Sequence, residues 1–533
     1  MENKRKSRLF LYIFIGSIIL IVAINCQRIY QAIVPEDGKS TESVETVVVT
    51  DTSAPTVLSV PTIPSTPILV ITPSIVPEIK QIVYVATSGD DSANGTHEHP
   101  WKTIQFAVDH ILPGGVIFVL DGIYSEGVHI TRSGELGKPI LLSVYNNDSV
   151  TIDGGDASAI TGEGAYWMVK GFVLESAADR VVRLNSNNWT IQSNTIHGAV
   201  YLWGDHNIVV DNEIDGSKHL GNENGFMEDG PSSFGNVIKQ NRIHDFTDRG
   251  IWSQWFTHET LIEKNTVYNI NGRAGICIDL DGASSVGYLF IIRGNIVHDC
   301  GQTGIELENS YSTLVEKNLV YKTGLEAIQV VNYLGCQPGG DTNQFGKADG
   351  ECRGDDLNTT IQQNILYDSG RVGGIVSYES SGVNVYNNTV YGGESVALFI
   401  KSSAILSDNW DVRGNIFSNH DRAEISVSDP SSLSQDSYNL IDPTDPTHTY
   451  EVRGSELLYY SLSEWQNNIQ LGVHSFYNTP GFIDPQNFDF HLLPGSAAIN
   501  SGIDLGITLD FDGILRPQFD LFDIGAYEFV TEK

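Results

Sequence analysis

The chain has 533 residues, with 31 basic and 66 acidic side chains and a formal net charge of −35. A folded surface of this charge repels phosphate backbones, so the composition argues against nucleic acid as a ligand. The 52 glycines and the low share of charged residues, 18%, favour a turn-rich β protein over a helical one.

The N-terminus predicts export or membrane attachment. Lys4, Arg5, Lys6 and Arg8 precede an apolar run over residues 9–24. A basic flank before an apolar segment is typical of a secretory signal or an N-terminal anchor, and it predicts that the rest of the chain lies outside the cytoplasm. Of three alternatives, we expect an uncleaved anchor within residues 1–30 rather than lipidation at Cys26 or a cleaved signal.

The next segment, residues 31–80, is rich in Thr and Pro, as in PSTPILVITPSIVP. Repeated proline removes backbone donors and favours extended conformations, so this segment is predicted to be a linker. Residues 81–430 and 431–533 then form a predicted β-helix and a β-rich C-terminal module that completes the solenoid.

Short apolar strands recur with a regular asparagine from residue 187 onward. One Asn precedes an apolar strand in each unit, most of them 23 to 30 residues after the last, at Asn194, Asn212, Asn241, Asn265, Asn295, Asn318, Asn364, Asn388 and Asn415. A repeat of this length built from short strands predicts one coil of a parallel β-solenoid. The units lack the leucine spacing and helical segment of leucine-rich repeats.

The entry segment carries a family resemblance. The stretch YVATSGDDSANGTHEHPWKTIQFAVDHILPGGVIFVLDGIY, from residue 84, resembles the N-terminal cap of right-handed parallel β-helix proteins, the superfamily of pectate lyases and related polysaccharide-active enzymes. The resemblance implies an all-β, right-handed parallel β-helix with an N-terminal helical cap. It implies no single activity, because the superfamily includes lyases, hydrolases, epimerases and surface proteins.

The segment PGSAAINSGIDLGITLDFDGILRPQFDLFDIGAYEF, from Pro494, resembles the end of a bacterial surface-protein module that is associated with cell anchoring. We assign it no catalytic role.

Alternation along the strands that follow the Gly-containing turns places four carboxylates outward on two consecutive coils: Asp279, Asp281, Glu306 and Glu308. Aligning the strands on Gly275 and Gly304 puts Asp279 beside Glu308, about 4.8 Å away, and diagonal to Glu306 at roughly 8 Å. It also places Leu307 beside Ile278 in the core.

These carboxylates allow three interpretations. A separation of about 6.5–9.5 Å suits the acid and base of an inverting glycosidase. Adjacent carboxylates, Asp279 with Glu308, also suit Ca²⁺, which is the one cofactor the pattern suggests. The third interpretation is a solvated acidic surface without function.

Further outward side chains form the predicted substrate site: Trp203, Arg249, Trp252, Gln254, Trp255 and Tyr378. Indole faces are good platforms for sugar rings, although any one Trp can equally pack beneath a loop. Insertions at 216–234 and 333–357 are predicted to border this face as loops.

Two further patterns concern cysteine and histidine. Cys336 and Cys352, in the second insertion, are predicted to form a disulfide, while Cys277 and Cys300 are predicted to be unpaired or buried. His197, His244 and His298 recur at one position of the repeat, which indicates packing near the turns rather than catalysis.

The sequence therefore predicts an extracellular, membrane-tethered, monomeric β-helix protein that acts on polysaccharide. Hydrolysis by Glu306 and Asp279 is preferred, with Glu308 and Asp281 tuning or holding substrate. A Ca²⁺-dependent polysaccharide lyase is the first alternative, with Arg249, Arg273 or Lys401 as base. The second is a non-catalytic surface protein that binds glycan.

Overall fold

The computed structural model describes residues 81–218, 224–230, 233–254, 257–281, 287–332, 356–403 and 406–531. The predicted anchor and linker, the Cys336–Cys352 pair and Trp255 lie outside these residues. Within the described part of the chain, no helix is long and apolar enough to cross a membrane.

Each coil contributes one strand to each of three parallel ladders, and consecutive coils pair strand on strand. The first ladder contains Ile82–Val85, Val116–Val119, Ile140–Val144, Trp167–Lys170, Trp189–Gln192, Ile208–Val210, Val237–Lys239, Leu261–Glu263, Ile291–Arg293, Leu314–Glu316, Asp356–Gln362, Ser381–Tyr386, Trp410–Arg413 and Leu433–Ser437. This arrangement is a parallel β-helix, as predicted.

The second ladder runs beside the first. It contains Gly122–Tyr124, Val150–Asp153, the first part of Val173–Leu184, the first part of Thr195–Leu202, Glu213–Asp215, Arg242–His244, Thr266–Ile270, Ile296–Cys300, Leu319–Thr323, Ile365–Ser369, Thr389–Gly393, Ile416–His420, Leu440–Asp442 and Phe476–Tyr477.

The third ladder carries the predicted site. It contains Val128–Ile130, Ile160–Gly162, the second parts of Val173–Leu184 and Thr195–Leu202, then Asn224–Glu228, Arg249–Gln254, Ile276–Asp281, Ile305–Glu308, Glu326–Val331, Gly373–Tyr378, Val396–Lys401, Ala423–Val427 and Tyr450–Arg453, with Leu457–Tyr460 added antiparallel. Two short pairs complete the strands: Gly287–Tyr288 with Ser310–Tyr311, and Phe482–Asp484 with Asp489–Leu492.

Apolar side chains from all three ladders fill the space inside the coils. Isoleucines stack along the third ladder as Ile251, Ile278, Ile305, Ile328 and Ile375, all fully buried. A single coil has no partner for this inward face, so stacking is what creates the core.

The asparagine ladder explains the sequence repeat. Each Nδ2 donates to the Oδ1 of the Asn one coil later, at 2.9–3.1 Å, from Asn194 through Asn439. The same amide also reaches the backbone, as Asn295 Nδ2 does at the Ile262 carbonyl oxygen, 2.9 Å away. Buried turn donors and acceptors are thereby satisfied in coil after coil.

A short helix, Ile104–His110, closes the N-terminal end, as the cap resemblance implies. Thr103 is its N-cap and accepts from the Phe106 amide, while Glu126 accepts from the Ile104 and Gln105 amides at 2.9 and 3.1 Å. The apolar face of the helix, which includes Ile104, packs on the first coils.

The C-terminal end is closed by the helix Leu462–Asn468, whose Trp465 is buried and stacks on Tyr450 at 4.3 Å between ring centroids. The chain then folds back along the outside of the second ladder. Gln363 Nε2 donates to the Leu509 carbonyl oxygen at 2.6 Å, and Asn387 Nδ2 donates to the Asp523 carbonyl oxygen at 3.2 Å.

Two sequence-based expectations about this scaffold are only partly right. Cys277 and Cys300 are buried but bonded to each other, with Cα atoms 5.7 Å apart. Cys277 lies on the third ladder and Cys300 on the second ladder of the next coil. Their separation of 23 residues in sequence does not by itself indicate that they are close in space. The first predicted insertion is also not wholly a loop, because Asn224–Glu228 pairs with Arg249–Gln254 as a ladder strand.

Candidate functional site

The outward side chains of four successive third-ladder strands form one column. Trp252 pairs with Asp279, Asp279 with Glu306, and Glu306 with Gln329. We call the surface around this column the groove face. Strand alternation placed Trp252, Asp279 and Glu306 on it correctly.

The register between the two acidic strands differs from the predicted one by two residues. Asp279 lies directly opposite Glu306, whereas Glu308 pairs with Val331 on the next coil. The Gly275 carbonyl accepts from the Gln302 amide at 2.9 Å, so Gly275 belongs to the turn and is not the partner of Gly304.

The core contacts shift with the register. Leu307 therefore pairs with Leu280, and Ile278 pairs with Ile305. The predicted 8 Å diagonal between Asp279 and Glu306 is replaced by direct pairing, at about 4.8 Å between strands.

Asp279 is held in an ion pair. Arg249 Nε donates to Asp279 Oδ2, and Arg249 Nη1 donates to Asp248 Oδ2 at 2.7 Å. Asp248 is fixed in turn by the Ala274 amide, which donates to its Oδ1 at 2.8 Å. Asp279 is only 2% exposed, so the pair forms the floor of the groove face rather than its rim.

Trp252 lies beside this pair. The Arg249 guanidinium carbon lies 4.4 Å from the centroid of the half-buried Trp252 ring. The indole Nε1 is buried and has no hydrogen-bond partner among the described residues. The ring is therefore anchored from one side by a cation, which fixes its orientation.

Sequence analysis did not include Glu326, which the structure places at the same face. Its carboxylate accepts from Thr303 Oγ1 at 3.1 Å and from the Tyr378 hydroxyl at 3.2 Å. Thr303 Oγ1 also lies 3.4 Å from Gln329 Oε1, so the Glu326 side chain converges on the column.

Burial raises the pKa of the Glu326 carboxyl above its usual range, and the two hydrogen bonds only partly oppose this shift. A signal for Glu326 was present in the sequence. Glu326 stands two residues before Ile328, just as Arg249 stands two residues before Ile251. Because Arg249 belongs to the predicted substrate site, the same position on the later coil indicates Glu326.

The remaining predicted residues are spread more widely. Glu308 is 7% exposed and lies near Asn309 Nδ2, which donates to it at 3.4 Å. Gln254 pairs with Asp281 in the backbone ladder, and the Asp281 side chain lies outside what the structure describes. Trp203 is exposed and lies just after the strand Thr195–Leu202, two coils before Trp252.

Asp279 and Glu308 belong to no group of three metal-ligating side chains among the described residues. The group that does bring three ligand atoms within 4.8 Å of one another is Asp215, His244 and Asp245, on the second ladder. A Ca²⁺ site on the groove face therefore remains a prediction.

Comparison with known proteins agrees with the fold. Residues 83–287 match the model of the family described as Pel9A-like, right handed beta helix region. This match confirms the resemblance to pectate-lyase-like β-helix proteins and their handedness. The resemblance of the C-terminal segment to a surface-protein module has no counterpart in these matches.

Two sequence relatives match over short stretches. Pectate lyase PEL9 of Emericella nidulans is 39% identical over 74 residues, which is 14% of this chain and 18% of the relative. The uncharacterized protein YwoF of Bacillus subtilis is 35% identical over 72 residues, 14% of this chain and 15% of the relative. The chain thus spans less than a fifth of the length of the curated relatives that it matches.

Among solved structures, pectate lyase Pel9A superposes with a TM-score of 0.40 and 16% identity, covering 85% of this chain and 97% of that chain. Because both values are low, this likeness does not specify an activity. The relatives and neighbours with named activities, pectate lyases among them, are carbohydrate-active enzymes, as the sequence analysis expected.

Proposed function

We propose that the chain is a glycoside hydrolase that binds glycan along the groove face. The observation that carries this proposal is the contrast between two carboxyl groups of that face. Glu326 is buried with a raised pKa, whereas Glu306, on the coil before it, is only half-buried. Hydrolysis of a glycosidic bond needs one carboxyl that keeps its proton near neutrality and one that stays ionised.

Glu326 is the proposed general acid, because its raised pKa favours the protonated form that a leaving group requires. Glu306 is the proposed base, because it is half-buried and can meet a water, while Asp279 is almost fully covered. The Arg249–Asp279 ion pair then forms the floor of the groove face and orients Trp252. The Trp252 ring is the proposed stacking surface for a sugar.

The spacing of these two residues is compatible with an inverting reaction. Gln329 pairs with Glu306, and Glu326 stands three residues before Gln329. Regular strand geometry gives a separation of roughly 11 Å between the Cα atoms of Glu306 and Glu326. Side chains that converge from such positions can hold carboxyl groups about 6.5–9.5 Å apart, which leaves room for the attacking water.

The test uses the purified full chain on a panel of neutral glycans and polyuronates, with new reducing ends and ultraviolet absorbance of unsaturated uronates as readouts. Glu326→Gln and Glu306→Gln should each lower turnover by about 10² or more while glycan binding persists. Glu456→Gln, at an exposed position, is the matched control. Full activity in the Glu306→Gln/Glu326→Gln double variant would contradict the proposal.

A Ca²⁺-dependent polysaccharide lyase is the second candidate, favoured by the sequence similarity to pectate lyase PEL9. Lyase chemistry would give unsaturated products that depend on Ca²⁺. Against it, Arg249 is committed to Asp279 and Asp248, which stabilise its charged form and make it a poor base. Binding of glycan without any product would favour the surface-protein alternative.

We also propose that the β-helix acts outside the cytoplasm, because Lys4, Arg5, Lys6 and Arg8 precede an apolar run. Protease added to intact cells should then remove residues 81–533. Survival of the β-helix until the cells are lysed would reverse this topology.

A further inference from the structure

A cluster of metal-ligating side chains lies on the second ladder and has no role in the proposed reaction. Three successive coils place His197, Asp215 and His244 in register, each paired with the next. Asp245 follows His244 directly in sequence. The cluster therefore combines imidazole nitrogens and carboxylate oxygens at one position of the solenoid surface.

We propose that Asp215, His244 and Asp245 bind one divalent transition-metal ion, with Zn²⁺ as the reference ion. His244 Nδ1 lies 2.6 Å from Asp245 Oδ2 and 3.9 Å from Asp215 Oδ1. Two atoms that each lie about 2.1 Å from one zinc ion can be no more than about 4.2 Å apart, so both distances allow a shared ion.

The other nitrogen of the His244 ring supports this assignment. His244 Nε2 lies 2.7 Å from Glu213 Oε1. A neutral imidazole has a single N–H, and when Nε2 donates it to Glu213 the lone pair of Nδ1 faces the carboxylates of Asp245 and Asp215. A cation between them resolves this repulsion, and a carboxylate behind a ligating histidine is the usual arrangement at zinc.

His197 lies beside this set, on the preceding coil. Its Nδ1 is buried, lies 3.4 Å from Asp215 Oδ2 and makes no hydrogen bond among the described residues. Asp215 is held in place by Ser217, whose amide and hydroxyl donate to it at 2.7 and 2.9 Å. The carboxylate is therefore fixed between two histidines before any ion arrives.

The burial of the ligands indicates how an ion could reach the site, and their chemistry indicates which ion the site would prefer. The side chains of His197, Asp215 and His244 are 13%, 15% and 10% exposed, whereas that of Asp245 is 31% exposed. The open side at Asp245 gives an ion access and leaves room for a water ligand. Imidazole nitrogens favour Zn²⁺ and similar ions over Ca²⁺ or Mg²⁺, which take oxygen ligands.

The chain supplies a matched control on the same ladder. His298 Nδ1 lies 2.6 Å from Asp299 Oδ2, the same local pair as His244 with Asp245. The neighbouring coils place Tyr268 and Tyr321 against His298, so that no carboxylate stands where Asp215 stands beside His244. Both sites thus have a His–Asp pair, but only the site at His244 also has a third ligand, Asp215.

The experiment titrates the chelator-treated full chain with Zn²⁺ by calorimetry, with Ca²⁺ and Mg²⁺ in parallel. Asp245→Asn and Asp215→Asn should each lower the Zn²⁺ affinity of one site by tenfold or more, or remove one equivalent. Asp299→Asn should change neither quantity. Circular dichroism and thermal unfolding without metal verify that each variant is folded.

Co²⁺ added to the wild-type chain gives a readout that needs no variant. Co²⁺ bound by histidine and carboxylate ligands absorbs visible light through d–d transitions, and this absorption should disappear when Zn²⁺ displaces the Co²⁺. Wild-type chain that shows neither this absorption nor a Zn²⁺ equivalent sensitive to Asp245 overturns the proposal. Equal losses in Asp245→Asn and Asp299→Asn also overturn it, because they would indicate binding by any surface His–Asp pair.

Discussion

Asp279 of one coil lies directly opposite Glu306 of the next, and the Asp279 carboxylate is already engaged by Arg249. This relationship separates two carboxylates that sequence analysis had treated as an equivalent acid/base pair. One is a buried member of an ion pair and the other faces the groove. In the proposed reaction, the partner of Glu306 is therefore Glu326, on the coil after it.

The Arg249–Asp279 pair should stabilise the fold as well as orient Trp252. In Arg249→Gln, Asp279 loses its main counter-charge while remaining almost fully buried, so we expect the free energy of unfolding to fall by about 2–4 kcal/mol. Because the second substitution removes the buried charge, Arg249→Gln/Asp279→Asn should recover most of this loss. Urea unfolding of both single variants and the double variant measures the coupling energy. A coupling below about 0.5 kcal/mol would contradict a buried ion pair.

The register makes a separate prediction about the core. Leu307 stacks on Leu280 inside the solenoid, and both are buried. Leu307→Asp would place a charge among stacked apolar coils and should cost about 4 kcal/mol or more. The control is Leu136→Asp, because Leu136 is 84% exposed and its substitution should leave the thermal midpoint nearly unchanged. Equal midpoints for the two variants would place Leu307 on the surface.

The two-residue error in register has a physical origin. Side chains alternate with a period of two, so a shift of two residues keeps every side chain on its predicted face. Alternation could therefore assign Asp279, Glu306 and Leu307 to their faces, but could not decide which residue stands opposite which. The turn at Gly275 decides that, through a backbone hydrogen bond that no side-chain pattern records.

The asparagine ladder, in contrast, was readable from sequence because one residue type recurs at one position of every coil. Asn295 shows why: its amide donates to Ile262 and Asn318, and its Oδ1 accepts from the amide of Asn265. The Cys277–Cys300 disulfide occurs once, so it leaves no repeating pattern in the sequence from which it could be predicted. The same holds for Glu326, whose raised pKa depends on burial that only the packed coils define.

Removal of one rung from this ladder tests how much it contributes. Asn295→Ala would leave buried donors and acceptors on both neighbouring coils without partners, and we expect the free energy of unfolding to fall by about 2–4 kcal/mol. Asn478→Ala, at an exposed position near the C-terminal closure, is the matched control. Chemical denaturation measures both variants, and a loss no larger than that of the control would mean that water replaces the ladder at no cost.

The C-terminal closure should make stability depend on pH. Asp436 is buried and accepts hydrogen bonds from Asn439 Nδ2, Tyr450 Oη and Trp465 Nε1 at 2.8, 3.0 and 3.1 Å. Burial nevertheless raises its pKa from 3.8 to about 6. Burial also raises the pKa of Asp523, in the segment that folds back along the coils, to about 6.

Because the folded state binds the Asp436 proton more tightly than the unfolded state, its contribution to stability is fully present below about pH 4 and is lost as pH rises through about 6. A shift of about two units corresponds to about 3 kcal/mol. The difference in unfolding free energy between wild type and Asp436→Asn should therefore fall by about this amount between pH 4 and pH 7, because Asn does not ionise. Urea denaturation across this range measures it, and Asp520→Asn, at an exposed position, should run parallel to wild type. If the Asp436→Asn profile also runs parallel to wild type, Asp436 does not carry a raised pKa, and the closure around Tyr450 and Trp465 admits water.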